Sequence, residues 1–322
     1  MADWFLGIDA GGTGTRAVLV DSRGRVKGTG SAASANPHNV GLTAARTRLR
    51  EAASAAWASA KKPFQPARSA FVGAAGVKSR QEICAMRSAA EGEGLAVAGE
   101  VVVENDLSNA LTGGLSGRPG IALISGTGSN CLGRDELGNS FMCGGWGWIL
   151  DDEGSGFGLA LAAVRAVARA ADGRGPVTAL TPSTLAFFGV TEPNELLACF
   201  YTKPWTPGDV GEFAPVVMRL ASEGDVVAKT ILQSGADALV GLVKGVLAAL
   251  SFAHPPEVVL LGGCARSGSP YQDLLEQTLL DACPDIRLIA PRGSSLEGAA
   301  LNALKSAGLP PPQKIQSKGF KI

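Results

Sequence analysis

The residues best suited to chemistry stand at the very start of the chain. Leu6-Gly7-Ile8-Asp9 leads into Ala10-Gly11-Gly12-Thr13-Gly14-Thr15, and a second apolar run, Ala17 to Val20, closes at Asp21. The spacing predicts a strand, a turn and a second strand. Glycines at 11, 12 and 14 remove side chains that would keep backbone amides away from an anion, and Thr13 and Thr15 place hydroxyl donors beside them. Asp9, at the end of the first strand, has the chemistry to hold a hydrated divalent cation. Glycine and aspartate also make ordinary hairpin turns, which stands as the alternative for this segment alone. The segment lacks the Lys-Ser or Lys-Thr that ends a P-loop, and it runs on into a strand where a dinucleotide fold would begin a helix.

Two further segments carry reactive groups. Val101-Val102-Val103-Glu104-Asn105-Asp106 reads as a strand ending on polar residues, followed by a helix from Ser108. Asp106 is thereby expected at a strand's C-terminal edge, where open α/β sheets keep their sites and where a carboxylate can accept the proton of an attacking hydroxyl. The alternative is that it caps the next helix. Gly144-Gly145-Trp146-Gly147-Trp148 runs into Asp151-Asp152-Glu153-Gly154-Ser155. Glycines open the backbone to a ligand, tryptophan offers a flat face to a sugar ring, and the acids offer acceptors; one acid could instead cap the helix expected near Ser155.

These residues need a scaffold. Strands over 5–9, 16–21 and 26–30 form an expected meander, followed by alternating helices (41–60, 81–91) and strands (69–73, 100–103). Breakers at 113–120 mark a candidate domain junction. The order then restarts with a strand over 121–125, a second glycine turn Gly126-Thr127-Gly128-Ser129-Asn130, and strands over 131–134 and 140–143, a sign of internal duplication. Helices are expected over 155–171, 194–201, 211–222, 225–252, 271–282 and 295–307, with strands over 257–261 and 287–290. The predicted domains are 1–117 and 118–304, with the segment from about 305 to 322 able to pack back on the first. The stretch from Pro310 is expected to lie irregularly on the surface.

Composition narrows the function classes. The 322 residues suffice for two ordinary domains, and 46% are hydrophobic. Lys plus Arg and Asp plus Glu number 29 each, so no basic excess calls for nucleic acid or an anionic membrane. Lys244 interrupts the longest apolar stretch, and no basic region precedes the short apolar start, so neither export nor membrane spanning is expected. The expected location is cytoplasmic. The six cysteines include no Cys-x-x-Cys pair and there are two histidines, His38 and His254, so reduced thiols and no zinc site are expected. Cys131 and Cys143 flank a hairpin, where packing thiols are expected over a disulfide or a shared cluster. Trp57, Phe187 and Phe188 are expected in the core and Trp205 in loop packing.

Strand, glycine turn, strand resembles the way the actin, sugar-kinase and chaperone ATPase superfamily grips ATP phosphates. More specifically, Leu123 to Cys131, Cys143-Gly144-Gly145-Trp146-Gly147 and Asp152-Glu153-Gly154-Ser155 resemble, in order and spacing, the signature blocks of the N-acetylglucosamine kinase family. The wider group includes glucosamine kinases and the ATPases that activate 2-hydroxyacyl-CoA dehydratases. The resemblance implies a two-domain actin-like ATPase (ribonuclease H-like) α/β fold with a duplicated core and an interdomain cleft. It implies ATP held by Gly11, Gly12, Thr13 and Gly14, by Thr127, Gly128 and Asn130, and by an adenosine loop at Gly262-Gly263. It implies an amino sugar on Asn36, Asp106, Gly145, Trp146, Gly147 and Asp152, with Asp106 as catalytic base and Mg2+ on Asp9 through water. Two departures fall where sugar identity would be read: Pro37-His38 replaces a His-aromatic pair, and Ala75-Gly76 a Ser-Gly pair.

The implied reaction moves the γ-phosphoryl group of ATP to the C6 hydroxyl of N-acetylglucosamine, giving the sugar 6-phosphate. Glucosamine, glucose and N-acetylmuramic acid remain alternative acceptors, because a single acetyl or lactyl group is recognised by pocket shape. An activator ATPase sharing an iron–sulfur cluster at a dimer interface is a rival of another class, and a sugar-sensing repressor a more distant one. Partners are the sugar and ATP, with no nucleic acid or membrane; a homodimer is left open.

Overall fold

The computed structural model describes residues 3–265 and 268–320. The chain divides into two compact units, Met1–Gly120 with Ala290–Ile322, and Ile121–Ile289.

In the first unit, β1 (Trp4–Ala10), β2 (Gly14–Asp21) and β3 (Val26–Ala33) form the antiparallel meander, followed by α1 (Pro37–Ser59), β4 (Ser69–Ala74), α2 (Arg80–Gly92), β5 (Val101–Asn105) and α3 (Leu107–Gly114). The sheet order is β3-β2-β1-β4-β5, with β4 parallel to β1 and β5 parallel to β4. Registers Asp9↔Gly73 and Ala74↔Asn105 bring the C-terminal ends of these three strands to one edge. Valines and isoleucines fill the strands because β-branched side chains pack well on a pleated surface. The sheet buries Leu6, Ile8 and Val72 against the alanine face of α1, including Ala52, Ala53 and Ala56.

The second unit repeats this plan. β6 (Gly120–Ser125), β7 (Ser129–Arg134) and β8 (Ser140–Gly144) precede α4 (Gly156–Ala171), α5 (Leu180–Phe188), α6 (Glu195–Thr202), α7 (Pro207–Gly211), α8 (Ala214–Ser222) and α9 (Val226–Ala249). Then come β9 (Glu257–Leu261), α10 (Pro270–Ala282) and β10 (Arg287–Ile289). The sheet order β8-β7-β6-β9-β10 matches the first sheet strand for strand. By length and composition α9 could cross a membrane, but its Leu239, Val243 and Val246 are buried in the second core, as in the core helix of a globular domain.

The structure differs from the sequence-based expectations at four places. First, α11 (Ser295–Ser306), expected with the second domain, belongs to the first unit. It lies close enough to β1 and α3 that a side chain at Gly7 would overlap the Ala299 backbone and one at Gly298 would overlap the Asn109 carbonyl. A buried polar ladder reinforces this: Asn109 donates to the Ile8 carbonyl at 3.0 Å and Thr112 to Asn302 Oδ1 at 2.9 Å. Second, the chain beyond Pro310 is irregular and packs back on the first unit, as expected, but it does not lie wholly on the surface, because Ile315 is 2% exposed and the Gln316 carbonyl accepts from Val26 N at 2.9 Å. Third, α5 had no counterpart in the pattern; Phe188 is buried among Phe187, Phe200, Trp205 and Phe213, and tertiary burial overrides weak local propensity. Fourth, the helix expected over 211–222 is α8 and begins only at Ala214, and the short α7 before it had no counterpart in the pattern. Trp57 is buried in the core, as expected.

Candidate active site

In the first unit, the turn after β1 closes through Gly11 N donating to the Gly14 carbonyl at 2.9 Å. Gly12 and Thr13 are exposed at its tip, where their amides and the Thr13 hydroxyl are open to an anion. Thr15 is different: it is buried and its hydroxyl donates to the Ala33 carbonyl at 2.9 Å, so it braces the meander and is not available to a ligand. Ser34, which the sequence pattern did not flag, donates to the Gly11 carbonyl at 3.1 Å and fixes the turn from the other side.

Asp9 is 8% exposed, and its Oδ2 pairs with Arg16 at 2.6 Å across the β1–β2 register. The contact is an ion pair with the half-exposed Arg16 guanidinium. Among the described residues no group of three or more metal-ligating side chains exists. A carboxylate beside a phosphate-sized turn has the donor chemistry that a hydrated Mg2+ takes, one or two carboxylates plus phosphate oxygens.

Asp106 sits directly after β5, at the edge shared with Asp9. Its backbone is helical and its side chain makes no cap bond to α3. Asn105 does that work instead, with Oδ1 accepting from Leu107 N at 3.1 Å and Nδ2 donating to the Val77 carbonyl at 2.9 Å. The Asp106 carboxyl is thus left without a capping bond and feels the pull of its own and the Leu107 backbone N–H groups only. Burial, and next the charge of Asp9, push it up from the usual carboxylate value to about 6, against the pull of nearby backbone N–H groups. A carboxylate tuned close to neutrality is ionised at pH 7 and basic enough to take a hydroxyl proton.

Asn36 is the N-cap of α1, its Oδ1 accepting from His38 N at 3.0 Å. Among the described residues its amide N–H groups have no protein partner. Gly76 takes φ +76° beneath it, and a β-carbon there would overlap Asn36 Oδ1 and lie 2.8 Å from the His38 ring. His38 Nε2 lies 3.0 Å from Glu82 Oε1. Glu82 also caps α2 through Ser79, whose N–H donates to it at 2.7 Å, and these bonds hold its carboxyl down at about 2. One chain of contacts therefore links the start of α2, the start of α1 and the two positions where the sequence departs from the family pattern.

In the second unit, Gly126 N donates to the Gly128 carbonyl at 2.9 Å, the counterpart of the first turn. Thr127 is exposed at its tip. Asn130 carries a buried Oδ1 without a hydrogen-bond partner, an arrangement that costs free energy unless a ligand or water completes it. It stands opposite Gly144 in the β7–β8 register, and a side chain at Gly145 (φ +69°) would come within 2.8 Å of its Nδ2. Asn130 thus joins the glycine turn to the Gly145-Trp146-Gly147 segment.

Asp152 adopts φ +73°, a conformation rare for a residue with a side chain. Its Oδ1 accepts from Ser129 N at 2.7 Å, and a β-carbon on Gly128 would sit 2.7 Å from that same oxygen. The strained backbone places the carboxylate under the second turn; burial raises its proton affinity above the usual range. Gly262 (φ +96°) leans on the same turn, with Cys264 N donating to the Ser125 carbonyl at 3.0 Å. Gly126, Thr127, Gly128, Asn130, Asp152, Gly262 and Gly263 are therefore gathered in one region. Trp146 is 67% exposed, whereas Trp148 packs edge-on against Phe157 at 5.6 Å and anchors the segment. Cys131 and Cys143 face each other in register as free thiols, Cys131 fully buried.

The chain resembles known proteins over most of its length. It is 34% identical to an N-acetylmuramic acid/N-acetylglucosamine kinase of Clostridium acetobutylicum over 206 residues, 64% of this chain and 67% of the relative. It is 29% identical to an N-acetyl-D-glucosamine kinase of Dictyostelium discoideum over 315 residues, 94% and 98% of the two chains. Among solved structures, a candidate N-acetylglucosamine kinase from Chromobacterium violaceum superposes with a TM-score of 0.74 at 27% identity, covering 94% of this chain and 99% of that one. The fold is the two-domain actin-like ATPase α/β fold with a duplicated core. The profile of the BadF/BadG/BcrA/BcrD ATPase family matches residues 6–303, and the chain belongs to that family.

Proposed function

We propose that the chain is an ATP-dependent amino-sugar kinase that phosphorylates the C6 hydroxyl of N-acetylglucosamine, giving ADP and the 6-phosphate. The observation that carries this reading is Asp106: a carboxylate free of capping duty, partly buried, and raised to about 6 beside Asp9. Asp106 accepts the C6 hydroxyl proton as the sugar oxygen attacks the γ-phosphorus, and the bond to the β–γ bridging oxygen breaks. The first unit supplies Asp106, Asn36 for sugar hydroxyls, and the amides of Gly11, Gly12, Thr13 and Gly14. The second supplies Thr127, Gly128, Asn130, Gly262 and Gly263 for the nucleotide, and Gly145, Trp146, Gly147 and Asp152 for the sugar. Turn amides offset charge on the phosphates as the transition state forms. Asp9 is the residue that would hold Mg2+ through water; when bound, the cation neutralises phosphate charge.

The names of the relatives support an amino-sugar acceptor and include N-acetylmuramic acid beside N-acetylglucosamine. The activator-ATPase reading is less well supported, because Cys131 lies fully buried in the second core. We place the enzyme in the cytoplasm, in keeping with its free thiols.

An acceptor panel at matched concentration tests the assignment, with ATP as donor and the product's phosphate position read by phosphorus–proton NMR. N-acetylglucosamine is expected to give the highest kcat/KM and a C6 phosphate. ATP turnover that no amino sugar stimulates would overturn the kinase reading. A tenfold preference for glucosamine or N-acetylmuramic acid would overturn the acceptor alone.

A further inference from the structure

Away from every residue assigned above to nucleotide, sugar or metal, the second unit holds a cavity of about 510 Å³ between α4 and the first half of α9. Its wall on α4 follows helical spacing through Leu159, Ala162, Arg165 and Arg169, and Arg174 closes one end from the following loop. Across from these, α9 contributes Thr230, Ile231 and Ser234.

The arginines at this end have unequal roles. Arg174 is neutralised by Asp172, which accepts from its Nη2 at 2.6 Å and its Nε at 2.9 Å. Arg165 and Arg169, one helical turn apart, have no ion pair or hydrogen bond among the described residues. Two like charges at this spacing repel and weaken an isolated helix. A doubly charged anion relieves that repulsion, and guanidinium groups are well matched to phosphate oxygens. The rest of the lining offers an apolar wall, the Glu153 side chain beside Gly154, and two hydroxyls a turn apart on α9, of which Thr230 Oγ1 donates to the Val226 carbonyl at 2.9 Å and is left as an acceptor; this suits an uncharged body carrying its own hydroxyl groups.

We propose that this cavity binds a small phosphomonoester, its phosphate on Arg165 and Arg169 and its uncharged polyol body along Thr230 and Ser234. The site does not depend on the kinase reading, since none of its residues takes part in that chemistry. Its inner end gives it leverage on the nucleotide turn. Gly154 lines the cavity, and its carbonyl accepts from Ser125 Oγ at 2.8 Å and from Tyr271 Oη at 3.0 Å, tying it to the strand that leads into Gly126. Occupancy is therefore expected to change nucleotide affinity, and the coupling to be reciprocal.

Calorimetric titration of the full chain with glucose 6-phosphate, in saturating non-hydrolysable ATP analogue, tests the site directly. The expected result is saturable binding that is tighter than that of inorganic phosphate. It should weaken tenfold or more in R165A/R169A and be partly restored in R165K/R169K, which keeps the charge but not the guanidinium fork. Both arginines are exposed, so the variants are expected to fold and to keep basal turnover within about twofold, which a melting curve and an assay without phosphoester verify. Absence of saturable binding, equal affinity for inorganic phosphate, or unchanged binding in R165A/R169A would overturn the proposal.

Discussion

Asp106 illustrates how one neighbour decides the role of another. Because Asn105 caps α3, the Asp106 carboxyl is released from structural duty, and burial beside Asp9 then raises it to about 6. Two consequences follow at this scale. The dependence of kcat/KM for the sugar on pH should show an acidic limb near 6, lost below it as Asp106 protonates, and flat above it until other groups titrate. A cation bound at Asp9 would cancel part of that neighbour's charge and move the limb down. For stability the sign is opposite. A carboxyl with raised folded-state affinity for protons loses stability as pH climbs from about 4 to 6, so D106N should be more stable than the parent at pH 8, by on the order of 2 kcal/mol, with the gap closing near pH 4. Urea unfolding at the two pH values measures this. The sequence showed Glu104-Asn105-Asp106 at a strand end but not which member caps the helix, because the choice turns on the Asn105 contact with Val77, distant in sequence.

Among the elements, the second glycine turn is held by a carboxylate that the sequence offered to the sugar or to the cap of the next helix. Asp152 reaches Ser129 N from a left-handed backbone, and its oxygen occupies the space a side chain on Gly128 would need. G128A should displace it and raise the KM for ATP about tenfold or more while the melting temperature changes little, an outcome steady-state kinetics can check. At the other end of the chain's chemistry, Glu82 links α2 to His38. E82A removes both a capping box and the His38 contact, so it should cost about 1 kcal/mol and raise the KM for the sugar selectively over that for ATP. The strands and both turns were legible because period-two runs and glycine clusters are local signals. Helix α5 was not, since its Thr and Phe residues gain from burial against aromatic partners that no local window contains.

At the level of the whole molecule, the duplication visible as two glycine turns in the sequence proved to be two sheets with the same strand order. The return of α11 to the first unit was hidden, because its signal is a set of small residues fitting Gly7 and Asn109 hundreds of positions earlier. G298A should drive a β-carbon into the Asn109 carbonyl and lower stability by about 3 kcal/mol, seen in chemical unfolding. Removal of residues 311–322 should lower stability by about 2 kcal/mol, because Ile315 leaves a buried site and Val26 loses its bond to Gln316. The truncation is expected to reduce thermal tolerance more than turnover at low temperature, whereas G298A presses on the helix that follows Asp106, where Asn109 N donates to the Asp106 carbonyl at 3.0 Å, and is expected to lower turnover as well.

The proton acceptor is tested most directly by sugar-dependent ADP release from D106N, with ATP affinity determined separately on the same preparation. The account predicts a fall of about 100-fold or more in turnover with ATP affinity retained. Turnover within a few-fold of the parent would contradict it.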